Sequence, residues 1–286
     1  MKRLRSLKKR LKAREKVKTA FAHTENPPVL IYQMGKVGSN TIHKSLKNTA
    51  LSDQLLQLHF LSDDLAARLK KFKKAGKYPY ADHFYISLYV RKALEKYKGK
   101  PIKIITLTRD PIAIVVSNLF QNSHLARKKI TSGGVIDPEK ATKYIQDIIC
   151  KPDTFKYIFE WFNKEMYTVF SVDVFSEKFP VHKGYTKYTK GNIELLVIRL
   201  EDLSNIGPAI ISDFLNLQEP VELIDDNLRS MSKDKSLYDK VLRDTKISPQ
   251  SCLEIYSSDF VRHFYDDKYV NKFMSKWTKT ESVIEN

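Results

Sequence analysis

Short apolar runs alternate with amphipathic segments through most of the chain. Residues 102–108 form the clearest run: it is continuous and β-branched, as expected of a strand that is covered on both faces. Similar runs predict further strands. The predicted strands are 29–34, 55–61, 83–88, 102–108 and 193–200.

Segments with apolar residues at helical spacing lie between these runs. The predicted helices are 41–51, 62–72, 88–97, 111–124, 138–149, 152–165 and 206–217, followed by a helical last third. Strands that alternate with helices predict an α/β fold in three layers, with a central, mainly parallel sheet flanked by helices. We expect one such domain over residues 26–286.

Residues 1–25 have a different character. Leu4, Leu7 and Leu11 follow helical spacing among basic residues, and residues 1–18 carry ten Lys or Arg against one acid, a net charge of +9. Two adjacent prolines at 27 and 28 then interrupt the helix. This pattern is typical of a basic amphipathic arm that binds an anionic membrane or glycan surface. The alternative is a solvated and frayed helix end.

Composition narrows the class of protein. The whole chain has a net charge of +17, so the remainder carries +8 and suits an anionic ligand. Cys150 and Cys252 show no metal-ligand or CxxC spacing, and we expect both to be reduced and mostly buried. We see neither a secretory signal nor a spanning apolar stretch, so we expect a cytoplasmic protein, with the arm as its peripheral contact with a membrane.

A glycine-containing turn follows the first predicted strand. Its glycines allow successive N–H groups to point inward, and the next helix adds its positive N-terminal end. The order of a Walker A loop is absent, because Lys36 directly follows the first glycine. The predicted anion-binding residues are Gly35, Lys36, Val37, Gly38, Ser39, Asn40 and Thr41.

A second turn follows the strand at 102–108. Arg109 falls at the end of this strand, Asp110 is suited to cap the next helix, and Pro111 suits its first position. A guanidinium can donate two hydrogen bonds to one phosphate, and Ser117 lies two helical turns further on. We therefore expect Arg109 and Ser117 to bind a terminal phosphate.

These two motifs carry a resemblance. The segment from Gln33 to Thr41 resembles the 5′-phosphosulfate loop of carbohydrate-type sulfotransferases, and Arg109-Asp110-Pro111 with Ser117 resembles their 3′-phosphate motif. The chain is most similar to a bacterial family of capsular polysaccharide synthesis proteins. The resemblance implies a P-loop-like fold that transfers a sulfuryl group from 3′-phosphoadenosine 5′-phosphosulfate (PAPS) to a carbohydrate hydroxyl, with no metal.

The resemblance also suggests roles for later residues. Arg229, Lys233 and Lys235 lie where relatives place a loop that closes over the nucleotide. The Glu201-Asp202 turn looks like a mainly structural feature that organises the end of the sheet.

An acceptor hydroxyl must lose a proton, so a base is expected beside the sulfuryl group. His59 lies near the end of the second predicted strand and is our candidate, with Lys36 as its catalytic partner; a packed structural histidine is the alternative. His124 and Glu160 are the reserves. The strand predicted at residues 83–88 begins with His83, which would place this histidine at the opposite edge of the sheet from His59.

Two other functions stay open at this point. A P-loop kinase or nucleotide hydrolase would need Lys-Ser/Thr after the second glycine and an acidic metal ligand, and neither is evident. A non-catalytic basic binding module with a vestigial nucleotide site rests only on the arm, and no nucleic-acid-binding pattern accompanies it.

Overall fold

The computed structural model describes residues 2–22, 26–74, 81–121, 128–224 and 235–278. The chain forms two compact units. The first comprises Met1–Thr108, Trp161–Glu177 and Lys183–Asp226, and the second comprises Arg109–Glu160, Lys178–His182 and Asn227–Asn286. The boundary predicted at residue 26 stays a prediction.

The first unit contains a five-stranded sheet in the order β2-β1-β3-β7-β6. Neighbouring strands pair in parallel except β6, which is antiparallel to β7. The strands are β1 (Val29–Tyr32), β2 (Leu55–Leu58), β3 (Ile102–Thr108), β6 (Tyr185–Lys190) and β7 (Ile193–Arg199). Because β1, β3 and β7 are almost entirely buried apolar segments, they occupy the centre.

Helices flank this sheet, so the fold is mixed α/β with a mostly parallel sheet, as predicted. The helices of the first unit are α1 (Lys2–Ala20), α2 (Ser39–Lys47), α3 (Leu65–Lys74), α4 (Ala81–Leu94) and α8 (Leu203–Leu215). Helix α1 packs on α4. Its residues Ala13, Val17 and Ala20 are buried, so this helix supplies part of the first unit's core.

Strand direction and order determine where a ligand can bind. From β1 the chain turns to β2 on one side, whereas β3 lies on the other side of β1. This reversal makes a topological switch point between β1 and β3, and open α/β sheets usually bind ligands in the crevice beyond the carboxyl ends of the strands at such a point.

One strand prediction is wrong, and one strand was not predicted. Residues 83–88 lie within helix α4, where Phe84, Ser87 and Val90 are buried at a spacing of three residues. A short apolar run does not distinguish a strand from a buried helix, because both patterns place apolar groups close together. Strand β6 was missed because its alternating Lys, Thr and Tyr residues leave it largely polar at the sheet's edge.

The helix predicted over 152–165 changes its hydrogen bonding partway. It begins as α7 (Lys156–Trp161), continues as a π-helical turn (Phe162–Tyr167) and ends in a last turn (Thr168–Phe170). The π-helical turn belongs to the first unit, and such turns often occur at functional sites.

The second unit is mainly helical, with a small antiparallel pair formed by β4 (Thr131–Ser132) and β5 (Val135–Ile136). Its other helices are α5 (Pro111–Gln121), α6 (Pro138–Ile149), α9 (Lys235–Asp244), α10 (Pro249–Tyr256), α11 (Asp259–Phe264) and α12 (Asp267–Trp277). Cys252 is buried, whereas Cys150 is exposed, contrary to prediction; both are free thiols.

Asp110 connects the start of α5 to the C-terminal helices. Its carboxylate caps α5 by accepting from the Ile112 N–H at 3.0 Å, as predicted. It also accepts from the Tyr256 hydroxyl at 3.0 Å and from the Trp277 indole N–H at 2.7 Å. Burial raises the pKa of Asp110, and these donors oppose that shift.

No helix in the described part of the chain has the length and apolar character needed to cross a bilayer.

We predict that Asp110→Ala lowers the free energy of unfolding by about 2–4 kcal/mol, because it leaves buried donors on Tyr256 and Trp277 unpaired. Denaturant unfolding measures this change. Asp147→Ala, at an exposed position on α6, is the matched control and should cost less than about 0.5 kcal/mol. Equal stability of both variants would contradict this role of Asp110.

Candidate functional site

The loop between β1 and α2 contains two residues with positive φ angles. Lys36 has a φ of 72° and Gly38 a φ of 91°, both in the left-handed region. This conformation is strained for a lysine, and such strain concentrates at functional sites. The φ of Gly38 favours glycine, and a Cβ there would also lie 2.8 Å from Leu200 Cδ1, so the end of that side chain would have to shift.

Helix α2 begins directly after this loop. Its first position is Ser39, and no side chain caps its N-terminus, whereas side chains cap α6, α10, α11 and α12. The first N–H groups of a helix have no acceptor within the helix, and together they favour an anion.

The remaining predicted loop residues have varied surroundings. Val37 is fully buried, so its side chain anchors the loop. Asn40 Oδ1 accepts from Gln57 Nε2 at 3.0 Å, and the Thr41 carbonyl accepts from Ser45 Oγ at 2.8 Å. A Cβ on Gly35 would meet nothing within 4 Å, so no steric reason for that glycine is evident.

Gln33, the residue after β1, is fully buried. Among the described residues, none provides a hydrogen-bond partner for either atom of its side-chain amide. A buried amide without partners costs free energy, typically about 1–3 kcal/mol. A polar ligand at this loop would compensate that cost.

His59 follows β2 and is fixed by the same loop. Its Nδ1 lies 2.7 Å from the Gln33 carbonyl oxygen. A carbonyl only accepts, so Nδ1 carries the proton and Nε2 of the neutral ring has the free lone pair. Burial lowers the pKa of His59 to about 4, and His83 and Lys36 contribute to that shift. The ring is therefore neutral at pH 7, in the form that a base requires.

His83 lies beside His59, so its predicted position at the opposite edge of the sheet is wrong. The two ring centroids are 5.1 Å apart, because α4 rather than a strand carries His83. Burial lowers the pKa of His43 on α2 to about 4 as well, and Lys16, Lys47, His83 and Lys44 act in the same direction. Because the His43 and His59 rings are neutral at pH 7, the positive charge near them comes from lysines: Lys16, Lys44 and Lys47 near His43, and Lys36 near His59.

Glu165 is the residue that the sequence analysis missed. Its side chain is fully buried on the π-helical turn. Oε2 accepts from the Tyr32 hydroxyl and from the N–H groups of Leu61 and Ser62 at 2.8 and 2.9 Å. Oε1 accepts from Ser62 Oγ at 2.8 Å.

These contacts connect Glu165 to the two chain segments that carry Gln33 and His59. Tyr32 directly precedes Gln33, and Leu61 lies two residues after His59. Arg91 Nη1 additionally donates to the Leu61 carbonyl at 2.9 Å. No local signal marks Glu165, because its partners lie more than 100 residues away in the chain.

In the second unit, Arg109 follows the last residue of β3 and is half-buried. Ser117 lies partly buried on α5. Of the reserve bases, Glu160 lies on α7, and His124 falls outside the described residues. Arg229 and Lys233 also fall outside them, and Lys235 is described only as the first backbone position of α9.

The turn after β7 is structural, in line with its interpretation from sequence. Arg199 Nε donates to Asp202 Oδ2 at 2.5 Å, and the Arg199 N–H donates to the Gly184 carbonyl at 2.8 Å. A Cβ on Gly184 would lie 2.5 Å from Asp202 Oδ2, so the ion pair needs a glycine there.

Across the described ranges, no group of three or more His, Cys, Asp or Glu side chains is arranged to hold a metal ion.

The lowered histidine pKa values predict a pH dependence of stability. The folded state favours neutral His59, so its contribution is full above pH 6.5 and is lost as pH falls toward 4. We expect His59→Asn, whose amide keeps a donor, to reduce the change in unfolding free energy between pH 7 and 4 by about 1–3 kcal/mol. Denaturant unfolding at several pH values measures this, with exposed His182→Asn as the control. An unchanged pH slope in His59→Asn would contradict the lowered pKa.

We predict that Glu165→Gln shifts the imidazole NMR signals of His59 and lowers stability by about 2–4 kcal/mol, because an amide cannot accept from all four donors. Asp202→Asn is the matched control: it also weakens a mostly buried carboxylate contact in the first unit, but it should leave the His59 signals in place. If the His59 signals move equally in both variants, Glu165 has only a general structural role.

Residues 134–266 match the family described as "NKWYS: Putative capsular polysaccharide synthesis protein". This match covers 133 of the 286 residues, slightly under half of the chain, and includes Glu165 but neither the glycine loop nor Arg109. No curated protein matches the chain. The match supports the resemblance to the capsular polysaccharide synthesis family.

Proposed function

We propose that this protein is a transferase of polysaccharide synthesis that moves a sulfuryl group from PAPS to a carbohydrate hydroxyl. The observation that carries the proposal is the glycine loop, with Lys36 and Gly38 in left-handed conformations before the uncapped start of α2. The match of residues 134–266 supports the polysaccharide context.

The loop provides what a phosphosulfate group requires. Its backbone and the start of α2 present N–H donors, and Lys36 adds a positive charge. The buried Gln33 amide lies at the start of this loop and has unsatisfied donor and acceptor groups, so it fits a polar ligand. A P-loop-like fold is part of this proposal, and the crevice beyond β1 and β3 is the position that such a fold uses.

Arg109 is proposed to bind the 3′-phosphate of the donor. The argument rests on chain connection: β3 pairs in parallel with β1, and Arg109 is the residue that follows β3. A guanidinium binds a terminal phosphate through two hydrogen bonds, and Ser117 on the following helix is the proposed second donor.

In the proposed reaction, the acceptor oxygen forms a bond to sulfur while the bond from sulfur to the bridging phosphate oxygen breaks. The hydroxyl proton passes to Nε2 of neutral His59, and 3′-phosphoadenosine 5′-phosphate departs with the bonding electrons. Lys36 stabilises the charge that develops on the bridging oxygen, so its contribution grows in the transition state. Glu165 acts as a positioning residue, because it fixes the segments that carry His59 and its carbonyl partner.

Calorimetry with 3′-phosphoadenosine 5′-phosphate in EDTA tests donor binding. We expect binding without metal, and Arg109→Ala should weaken it about tenfold to hundredfold, since a charge-assisted contact contributes about 1.5–3 kcal/mol. Lys36→Ala and His59→Ala should instead lower kcat with radiolabelled PAPS and an acceptor found by screening, with a smaller effect on donor affinity.

Matched controls are Lys70→Ala, an exposed lysine of α3, and Arg243→Ala, an exposed arginine of α9. Both should keep wild-type binding and turnover. If the protein binds ATP with Mg²⁺ but does not bind 3′-phosphoadenosine 5′-phosphate, a kinase or hydrolase function replaces this proposal. Normal turnover in His59→Ala would exclude His59 as the base.

A further inference from the structure

Among the residues of helix α1 whose side chains are described, those buried against the first unit share one side of the helix. Ala13 belongs to a buried cluster with residues of α3 and α4, and Val17 and Ala20 are buried on the same side of the helix. Arg10 Nε also donates to the Tyr89 hydroxyl on α4 at 3.0 Å. This side therefore holds the helix in place and leaves the other side to solvent.

The other side exposes leucines among basic residues. Leu7 and Leu11 lie one helical turn apart, with 54% and 55% of their surface exposed. At 100° per residue they lie well away from Ala13 and Val17 around the helix axis. The exposed charged residues around them are Lys8, Lys12, Arg14, Glu15 and Lys18.

We propose that this side of α1 binds the surface of an anionic phospholipid bilayer. Basic side chains are attracted to acidic headgroups, and Leu7 and Leu11 would enter the boundary between headgroups and acyl chains. A nucleic acid or acidic glycan would satisfy the charges but would gain little from two exposed leucines. A lipid surface uses both features.

A further positive region lies where α1 approaches α2. The pKa of Lys16 is lowered by partial burial and by Lys47 at the end of α2. Neighbouring cations repel one another, so an anion bound near Lys16 and Lys47 would relieve that repulsion. The membrane proposal does not depend on sulfuryl transfer, because none of these residues belongs to the proposed donor site.

The test uses the full chain, because removing α1 would also remove core residues. Sedimentation with vesicles of phosphatidylcholine alone, or with 30% phosphatidylglycerol, measures binding. The variants are Lys8→Glu/Lys12→Glu and Leu7→Gln/Leu11→Gln. Their controls are Lys268→Glu/Lys272→Glu, an exposed pair with the same spacing on α12, and Leu253→Gln, at a leucine 50% exposed on α10.

The wild type and both controls should bind the acidic vesicles. The glutamate pair should weaken this binding at least about tenfold and the glutamine pair about threefold to tenfold, with unchanged thermal unfolding because all four positions are exposed. Equal loss in the controls would show a nonspecific charge effect and overturn the proposal. Binding to duplex DNA that is tighter than to vesicles, and unaffected by the glutamine pair, would also overturn it.

Discussion

The buried carboxylate of Glu165 is the interaction on which the candidate site depends most. A charge removed from water is stable only if hydrogen bonds replace its hydration. Here the replacements come from Tyr32 at the end of β1 and from Leu61 and Ser62 after β2. Satisfying this one group therefore fixes two strand ends relative to each other. The contact of His59 with the Gln33 carbonyl lies between these two strand ends. The hydrogen bonds to Glu165 therefore help to orient the imidazole, although Glu165 is far away in sequence.

The same end of the sheet has an excess of positive charge. Burial and neighbouring cations hold the pKa of both His43 and His59 at about 4. Both rings are therefore neutral at pH 7, because protonation would place a buried positive charge beside other positive charges. An anionic ligand would change this balance in two ways: it would offset Lys36, and it would make a protonated His59 less unfavourable. In the proposed reaction, this rise in the pKa of His59 would favour proton acceptance only when the anionic donor is bound.

The local parts of this architecture could be predicted from sequence. The glycine loop, the Asp110 cap and strands β1, β3 and β7 are each determined by neighbours in the chain, so their patterns are visible there. The adjacency of His59 and His83 could not be predicted, because it required α4 to be recognised as a helix and placed against β2. The role of Glu165 could not be predicted from local sequence, because its hydrogen bonds join residues more than 100 positions apart.

The long separation in sequence between Glu165 and its partners also relates the family match to the glycine loop. The family match begins at residue 134, after the glycine loop, Arg109 and Ser117, so it does not bear on these proposed donor-binding residues. The proposed role of the loop, recognition of an anion, in turn says nothing about polysaccharides. Glu165 is the physical link between them, because it lies within the matched segment and its hydrogen bonds end at Tyr32, Leu61 and Ser62 in the unmatched one. If the matched segment were exchanged for one without an acceptor at this position, the loop's sequence would be intact but the strand ends beside it would have unpaired donors. Within the first unit, hydrogen bonds of Glu165 therefore join part of the matched segment to the strand ends beside the glycine loop, although the two are far apart in sequence.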